Sequence, residues 1–252
     1  MTIIRISDPV ERYRRLATSS DIHSLSGHDR GVEAIDFVNS RVLDELKLQA
    51  EDILLDVGCG DGSLVNSAAD KVVKVIGVTP TLEEQTRLQT AYPNISFVVG
   101  RVQGLPLESG LASRIVCNGV LPLLGTNGAV FAALKELARV AQADALIWLG
   151  EIPAENEYEH FKVYCGDSVL GFLAHQLRYK GIRQFLYFSN AALRGTVELN
   201  SSPLFYAPPD EFTSMVGSCG LRIEAHFKHR RLDKSGKEIE SPFRYNYLVR
   251  KD

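Results

Sequence analysis

Residues 53–64 read Ile53-Leu54-Leu55-Asp56-Val57-Gly58-Cys59-Gly60-Asp61-Gly62-Ser63-Leu64. The apolar start predicts a buried strand, and the acid that closes this strand leads into a turn in which every second residue is glycine. Glycine permits unusual φ values and, because it lacks a Cβ, lets the backbone approach a ligand closely. The helix start after the turn adds unpaired N–H groups at the same place. The segment therefore predicts a nucleotide-binding site at the end of a strand.

Size and composition indicate one folded α/β domain with an elaboration. The chain has 252 residues, of which 45% are hydrophobic, and this content excludes a disordered chain. The formal net charge of −3 gives no reason to expect a nucleic-acid partner. The four cysteines form no C-x-x-C pair, so we expect neither a metal site nor a disulfide framework. Residues 1–9 lack a secretory core and no apolar run is long enough to span a membrane, which predicts a cytoplasmic protein without a membrane partner.

Strands and helices alternate after residue 53. Short apolar runs at 72–78, 95–99, 114–117 and 145–149 are typical of strands buried on both faces of a parallel sheet. An apolar stripe before the first of these strands predicts a helix, and another predicts a helix that is capped by Asn127 or Gly128. Near the end, the runs 221–228 and 243–249 flank a polar turn and predict a β-hairpin.

The strand-end acid followed by G-x-G-x-G resembles the first motif of class I S-adenosylmethionine (SAM)-dependent methyltransferases, of the type 11-like group that acts on metabolites, sugars and natural products. This resemblance implies a Rossmann-like α/β fold, with helices on both faces of a mostly parallel sheet that ends in an antiparallel terminal hairpin. It further implies SAM as the cofactor. The expected activity is transfer of the SAM methyl group to an oxygen or nitrogen atom of a small-molecule acceptor.

Two segments fall outside a minimal version of that fold. We interpret residues 1–252 as a single methyltransferase-like domain in which residues 1–50 form an N-terminal helical cap. Residues 153–208 are aromatic-rich and mostly helical in pattern, and we interpret them as an insertion after the fifth strand that forms a lid or acceptor region. The alternative for the insertion is extra packing or the surface of a homodimer.

The resemblance assigns cofactor contacts to residues at the carboxyl ends of the strands, where ligands bind in open α/β sheets. The glycine turn faces the ribose and the methionine moiety, the acids help to hold the amino group, and Asn118 orients a ligand. The predicted cofactor-binding residues are Asp56, Gly58, Cys59, Gly60, Gly62, Thr79, Pro80, Val102, Gln103 and Asn118.

Two positions depart from the family pattern. Thr79 stands where a carboxylate usually binds both ribose hydroxyls, although Glu83 or Glu84 one turn later can compensate. Arg101 stands where an acid usually faces the adenine amino group, and a guanidinium accepts no hydrogen bond.

A base that deprotonates the acceptor would assist methyl transfer to a hydroxyl group. Glu151 follows the fifth strand at the ligand edge, and His160, with Tyr158, opens the insertion. His28, with His23, lies in the segment before the first helix, which in this family often folds over the cofactor. We therefore predict Glu151, His160 and His28 as catalytic residues and assign no role to His226 and His229.

Two other functions are compatible with parts of the sequence. A dinucleotide site for NAD would need G-x-G-x-x-G, but Ser63 occupies the sixth position and the acid of the second strand is missing. The departures at Thr79 and Arg101 also allow a catalytically degenerate relative that serves as a binding or regulatory module.

Overall fold

The computed structural model describes residues 2–6, 8–18, 22–26, 31–155, 169–194, 196–200, 204–233 and 235–252. The strands are β1 Thr2–Ile6, β2 Ile53–Val57, β3 Lys74–Thr79, β4 Ser96–Val99, β5 Ala112–Asn118, β6 Ala141–Pro153, β7 Thr196–Asn200, β8 Leu221–Leu232 and β9 Glu238–Lys251. The helices are α1 Pro9–Leu16, α2 Val32–Leu46, α3 Ser63–Ala68, α4 Leu82–Ala91, α5 Asn127–Val140, α6 Val169–His175, α7 Ile182–Arg194 and α8 Pro209–Gly217. Short 3₁₀ turns occupy Ile22–Ser26 and Leu121–Leu124, and a π-helical turn, Gln176–Lys180, follows α6.

Seven strands form one sheet in the order β4-β3-β2-β5-β6-β9-β8. All pairings from β4 to β6 are parallel, whereas β9 is antiparallel to both β6 and β8. The predicted fold class is therefore confirmed. Strand order reverses between β2 and β5, and a crevice for a ligand lies outside the carboxyl ends of strands at such a point.

The core occupies both faces of the sheet, as the continuous apolar strands predicted. Along β2, Leu55 and Val57 pack on the side of α5 and α8, while Leu54 packs on the side of α2 and α3. The predicted stripe on α2 is fully buried and consists of Ile35, Val38, Val42 and Leu46. This packing fixes α2 above the end of β2, which is where the glycine turn begins.

Element boundaries differ from the predictions where local polarity hides them. β6 begins at Ala141, whereas the apolar run predicted a start at residue 145. Gln142, Ala143 and Asp144 belong to the strand but interrupt its apolar pattern, which is why the sequence did not reveal them. The cap of α5 is Thr126, whose Oγ1 accepts a hydrogen bond from Ala129 N at 3.2 Å, so the choice of Asn127 or Gly128 is wrong by one or two residues. The terminal hairpin is confirmed, with longer strands than predicted.

The N-terminal region and the insertion contain a pair of strands that the sequence did not predict. β1 is parallel to β7 in a separate two-stranded sheet, with Thr2 opposite Thr196 and Ile6 opposite Asn200. Residues 169–194 of the insertion are helical apart from Gly181, whereas residues 204–208 form no regular element. The roles of residues 1–50 as a cap and of 153–208 as a lid stay predictions. No helix in the described ranges is both long and apolar enough to cross a membrane.

Candidate functional site

The glycine turn at the end of β2 has the backbone conformation that its sequence predicted. The φ angles of Gly58, Gly60 and Gly62 are +80°, +54° and +78°. The N–H groups of Gly58 and Cys59 both donate to Val78 O, at 2.9 and 3.0 Å, which joins the turn to β3. A Cβ at Gly58 would overlap Val120 Cγ2. Glycine is therefore required at this position by both conformation and packing.

Asp56 is the last residue but one of β2, and it is buried, with 4% of its surface exposed. No residue in the described part of the chain donates a hydrogen bond to its carboxylate. Burial, and secondarily the nearby charge of Asp61, raises the pKa of Asp56 to about 7. A buried carboxylate without a donor is costly, so its natural complement is a ligand that brings a positive charge or a hydrogen-bond donor.

Asp61, in contrast, has several partners, and they form a network around the turn. His23 Nδ1 lies 2.7 Å from Asp61 Oδ2, which fastens the 3₁₀ turn of the N-terminal region to the glycine turn. Ser63 donates to Asp61 Oδ1 through its N–H at 3.1 Å and its hydroxyl at 2.7 Å. Asn39 Nδ2 of α2 donates to Ser63 Oγ at 2.8 Å. The position of His23 before the first helix predicts a place near the cofactor, whereas its contact with Asp61 is visible only in the structure.

A cavity of about 80 Å³ lies between α2 and the carboxyl ends of β2, β5 and β6. Three carboxylates and no Lys, Arg or His line it, so the lining is acidic. The lining residues are Ala34, Ile35, Val38, Asn39, Asp56, Gly58, Cys59, Gly60, Asp61, Ser63, Leu64, Val116, Asn118 and Glu151. Six of the predicted site residues are thus brought together: Asp56, Gly58, Cys59, Gly60, Asn118 and Glu151.

Glu151 lies within β6 instead of after it, and its carboxylate is held by residues from distant elements. Its backbone has φ +61° and the residue is 1% exposed. Arg244 Nη1 donates to Oε2 in an ion pair, and Asn118 Nδ2 lies 3.4 Å from Oε1. The N–H of Glu151 donates to Asn246 Oδ1 at 2.9 Å. A strained, buried acid at a cavity wall is the kind of outlier that suggests function.

The residues that hold Glu151 were not found from the sequence. Arg244 and Asn246 belong to β9. His229, to which we assign no role from the sequence, belongs to β8, and its Nε2 lies 4.0 Å from Glu151 Oε1. Asn118 is oriented in turn by Trp148 Nε1, which donates to Asn118 Oδ1 at 3.1 Å. The only sequence signal was the predicted terminal hairpin, whose position next to β6 brings these side chains to the site.

At the β3 end of the site, the carboxylate of Glu84 is hydrogen-bonded within the protein. Thr79 Oγ1 and Thr81 Oγ1 each donate to one oxygen of Glu84 at 2.7 Å, and Glu84 N donates to Thr81 Oγ1 at 3.3 Å. Glu84 is 1% exposed, and burial raises its pKa although both hydroxyl bonds act to lower it. Glu84 therefore supplies an acid beside Thr79, but each of its oxygens already accepts a hydrogen bond from a threonine hydroxyl.

The remaining predicted cofactor contacts lie outside the cavity lining. Arg101 forms an exposed ion pair with Asp8, the two charged atoms being 3.7 Å apart. Val102 is buried in the core, and Gln103 is exposed. Gly62, Thr79, Pro80, Val102 and Gln103 do not line the cavity.

Some predicted residues cannot be placed. His28, His160 and Tyr158 lie outside the described residues. Within the described ranges, no group of three or more His, Cys, Asp or Glu side chains is arranged to hold a metal ion.

Comparison with known proteins identifies the domain. Residues 54–144 match a family model described as a methyltransferase domain. A SAM-dependent methyltransferase from Methanosarcina mazei has a similar structure, with 17% identity and a TM-score of 0.58 over 83% of this chain and 96% of that one. A candidate sarcosine dimethylglycine methyltransferase from Galdieria sulphuraria is 14% identical, with a TM-score of 0.59 over 97% of this chain and 99% of that one. The [4+2]-cyclase SpnF is also 14% identical, with a TM-score of 0.59 over 100% of this chain and 97% of that one. No curated protein sequence matches this chain.

At these identities the similar structures establish the fold, and the family match adds the type of domain. The residues present fit SAM. Its ammonium and sulfonium groups are positive, which suits an acidic cavity and the unpartnered carboxylate of Asp56. The pyrophosphate of NAD would instead meet three carboxylates. Residues 54–144 thus match a methyltransferase domain, and the residues that line the cavity fit SAM as its cofactor.

Proposed function

We propose that the protein transfers the methyl group of SAM to an oxygen or nitrogen atom of a small molecule, such as a metabolite, a sugar or a natural product. The observation that carries this proposal is the acidic cavity at the end of β2, which Asp56, Asn118 and Glu151 line together. One end of the cavity suits a cationic cofactor, and the other presents an oriented carboxylate to a second molecule.

SAM supplies a methyl group on a sulfonium, which is already a strong leaving group. The protein then has to align the acceptor and exclude water. Asp56 would accept hydrogen bonds from the ammonium group of the cofactor, and the glycine turn would allow the cofactor to approach the backbone. Because Arg244 and Asn118 fix the Glu151 carboxylate, this group is oriented to accept a proton from an acceptor hydroxyl or to hold an acceptor N–H. His28 and His160 stay predicted catalytic residues.

A small acceptor is supported by the size of the cavity. Its volume is about 80 Å³, α2 borders one side, and His23 contacts Asp61 of its lining. One of the similar structures is itself named for sarcosine and dimethylglycine, which are small molecules.

The second candidate function is a binding or regulatory module without methyl transfer. The observation in its favour is the β3 end of the site, where Glu84 is engaged by two threonines and Arg101 pairs with Asp8. A fold of this kind also does not dictate the reaction, since one similar structure is that of a [4+2]-cyclase.

Isothermal titration calorimetry with SAM, S-adenosylhomocysteine and NAD tests whether the cavity binds SAM or NAD. We expect saturable binding of both adenosyl ligands and none of NAD. An assay with methyl-labelled SAM and a panel of amines and alcohols then tests transfer, with Glu151→Gln as the variant that retains SAM binding but loses activity. Binding without transfer to any acceptor would favour the regulatory module. Absence of SAM binding by folded protein would contradict the cofactor assignment.

A further inference from the structure

Strand β6 contains a β-bulge at the candidate site. The residues that pair with β9 on the two sides of this bulge are Leu149 with Tyr247 and Ile152 with Tyr245. Three steps along β6 therefore match two steps along β9, so that Gly150 and Glu151 together face the single residue Asn246. Two residues opposite one is the pattern of a β-bulge, and bulges often lie next to active sites, where they redirect a side chain.

The bulge changes the face of the sheet on which Glu151 lies. Successive residues of a regular strand point to opposite faces, so Glu151 would share the face of Leu149. Leu149 packs in the core on the side of α5, and after the bulge Ile152 packs there as well. Glu151 instead lines the cavity that α2 borders, on the other side of the sheet. The extra residue thus turns the carboxylate from the apolar core towards the site.

The strained residue of the bulge is the acid and not its glycine neighbour. Glu151 has a φ of +61°, whereas Gly150 lies outside the left-handed region. Glycine is required at position 150 for a different reason, since a Cβ there would overlap Asn118 Oδ1. The missing Cβ lets Asn118 lie beside Glu151, to which its Nδ2 is 3.4 Å distant. A glutamate in the left-handed region persists only where its surroundings hold it there.

Asn246 supplies a hydrogen bond that holds the bulge. It is buried, and its Oδ1 accepts the N–H of Glu151 at 2.9 Å. Leu248, two positions further along β9, packs on the α2 side of the sheet, so Asn246 lies on that side with Glu151. A bulge removes a residue from the regular ladder, and a buried N–H that loses its acceptor is costly. The side-chain amide of Asn246 provides the acceptor that the ladder does not.

We propose that Asn246 is a positioning residue for methyl transfer, because it keeps Glu151 in the left-handed conformation that directs its carboxylate into the cavity. Arg244 and Asn118 contact the carboxylate oxygens, whereas Asn246 fixes the backbone that carries them. Asn246 does not line the cavity, so it acts through Glu151. Its role therefore rests on the proposed function, in which Glu151 accepts a proton from the acceptor or holds its N–H.

A double-mutant cycle between Asn246 and Glu151 tests the proposal, with the amine or alcohol of the panel that the wild type methylates. Asn246→Leu keeps a branched side chain without an acceptor atom, and we expect it to lower kcat by about 10- to 100-fold while the Kd of SAM stays within about twofold. Added to Glu151→Gln, it should lower the residual kcat no further, since it acts through Glu151. Asn246→Asp retains an acceptor oxygen and should stay within about threefold of the wild-type kcat.

The matched control is Gln142→Leu, which removes a side-chain hydrogen bond to Leu111 O from the same strand, away from the bulge. It should keep the wild-type kcat. An equal loss in Gln142→Leu, or a further loss when Asn246→Leu is added to Glu151→Gln, would show a merely structural role and overturn the proposal.

The crystal structure of Asn246→Leu tests the same role without an acceptor. We expect the Glu151 carboxylate to leave the cavity, and a carboxylate that stays in place would overturn the proposal. A wild type that binds SAM but methylates no member of the panel would contradict the proposed function alone, and this structure would then decide the role of Asn246.

Discussion

The two ends of the candidate site treat their buried acids differently. At the glycine turn, Asp56 is buried without a donor in the described residues, so its carboxylate is available to a ligand. At the end of β3, Glu84 is buried just as deeply, but two threonine hydroxyls already bond its oxygens. The difference teaches that, at these two strand ends, internal partners and not burial decide which acid is available to the cofactor.

Removal of the available acid should have the largest effect on binding. We expect Asp56→Asn to weaken SAM binding by about 10- to 100-fold, because it deletes a charge-assisted hydrogen bond to the ammonium group. Calorimetry with Asp70→Asn, an exposed acid just after α3, provides the control. Equal affinity of Asp56→Asn and the wild type would remove the basis of the comparison.

The backbone of the glycine turn should be nearly as intolerant. Gly58→Ala combines a φ of +80° with overlap on Val120 Cγ2, so it should lower the free energy of unfolding by about 1–3 kcal/mol. Gly104→Ala, where an added Cβ would contact nothing within 4 Å, should be close to neutral. Urea denaturation of both variants, and of Gly58→Ala combined with Val120→Ala, separates the conformational cost from the overlap.

Protonation offers a reversible version of the Asp56 substitution. The pKa of Asp56 is raised to about 7, and a bound cation favours the ionised form, so binding below pH 7 must release a proton. SAM affinity should therefore fall by about tenfold per pH unit below 7 and level off above it. Asp56→Asn should abolish this dependence. A flat profile in the wild type between pH 6 and 8 would contradict the assignment.

The same shift has a consequence for the protein without ligand. The pKa of Asp56 is higher in the folded protein than in the unfolded chain, so the ionised carboxylate lowers the free energy of unfolding. This loss is complete above pH 7 and vanishes below about pH 4. Asp56→Asn should accordingly raise the free energy of unfolding at pH 8, by roughly 1–3 kcal/mol after allowance for relaxation around the site. At pH 4 the gain should disappear. Thermal unfolding at the two pH values measures the difference.

The β3 end should respond least, and only if its acids are changed together. Thr79→Asp alone places two buried carboxylates side by side, so we expect it to destabilise the protein by about 1–3 kcal/mol. Combining it with Glu84→Gln supplies an amide that can donate to the new acid. That double variant should regain stability and bind SAM several-fold more tightly, since about 1 kcal/mol of hydrogen bonding is gained. Unchanged affinity would show that the ribose is held elsewhere.

The sequence predicted those parts of the molecule that depend on local pattern. The apolar run before Asp56, the glycine spacing and the polar turn between β8 and β9 each reflect a backbone conformation that nearby residues determine. The same reasoning failed at Thr126, where two neighbouring residues were equally plausible caps, and at the start of β6, where polar residues continue a strand. The start of β6 depends on its pairing with β5, whereas the Thr126 cap is a local hydrogen bond from Ala129 N.

Side-chain partnerships across the fold were mostly beyond the sequence. Glu151 was predicted at the site, yet Arg244 and Asn246, which orient it, lie more than ninety positions later and meet it only because β9 pairs with β6. His23 and Asp61 are similarly separated by 38 positions. Position along a strand predicted which residues reach the crevice, but not which hydrogen bonds they make there.

The pairing of β1 with β7 also has a consequence for the order of folding. Thr2 lies opposite Thr196, so β1 has to wait for its partner until nearly two hundred further residues have been made, roughly 10–40 s at ordinary rates of synthesis. Contacts of such long range form late, since the five strands β2 to β6 lie in the loop that they close. The central sheet up to β6 can therefore be assembled while residues 2–6 are still unpaired, and the N-terminal region is fastened to the insertion only as a late step of folding.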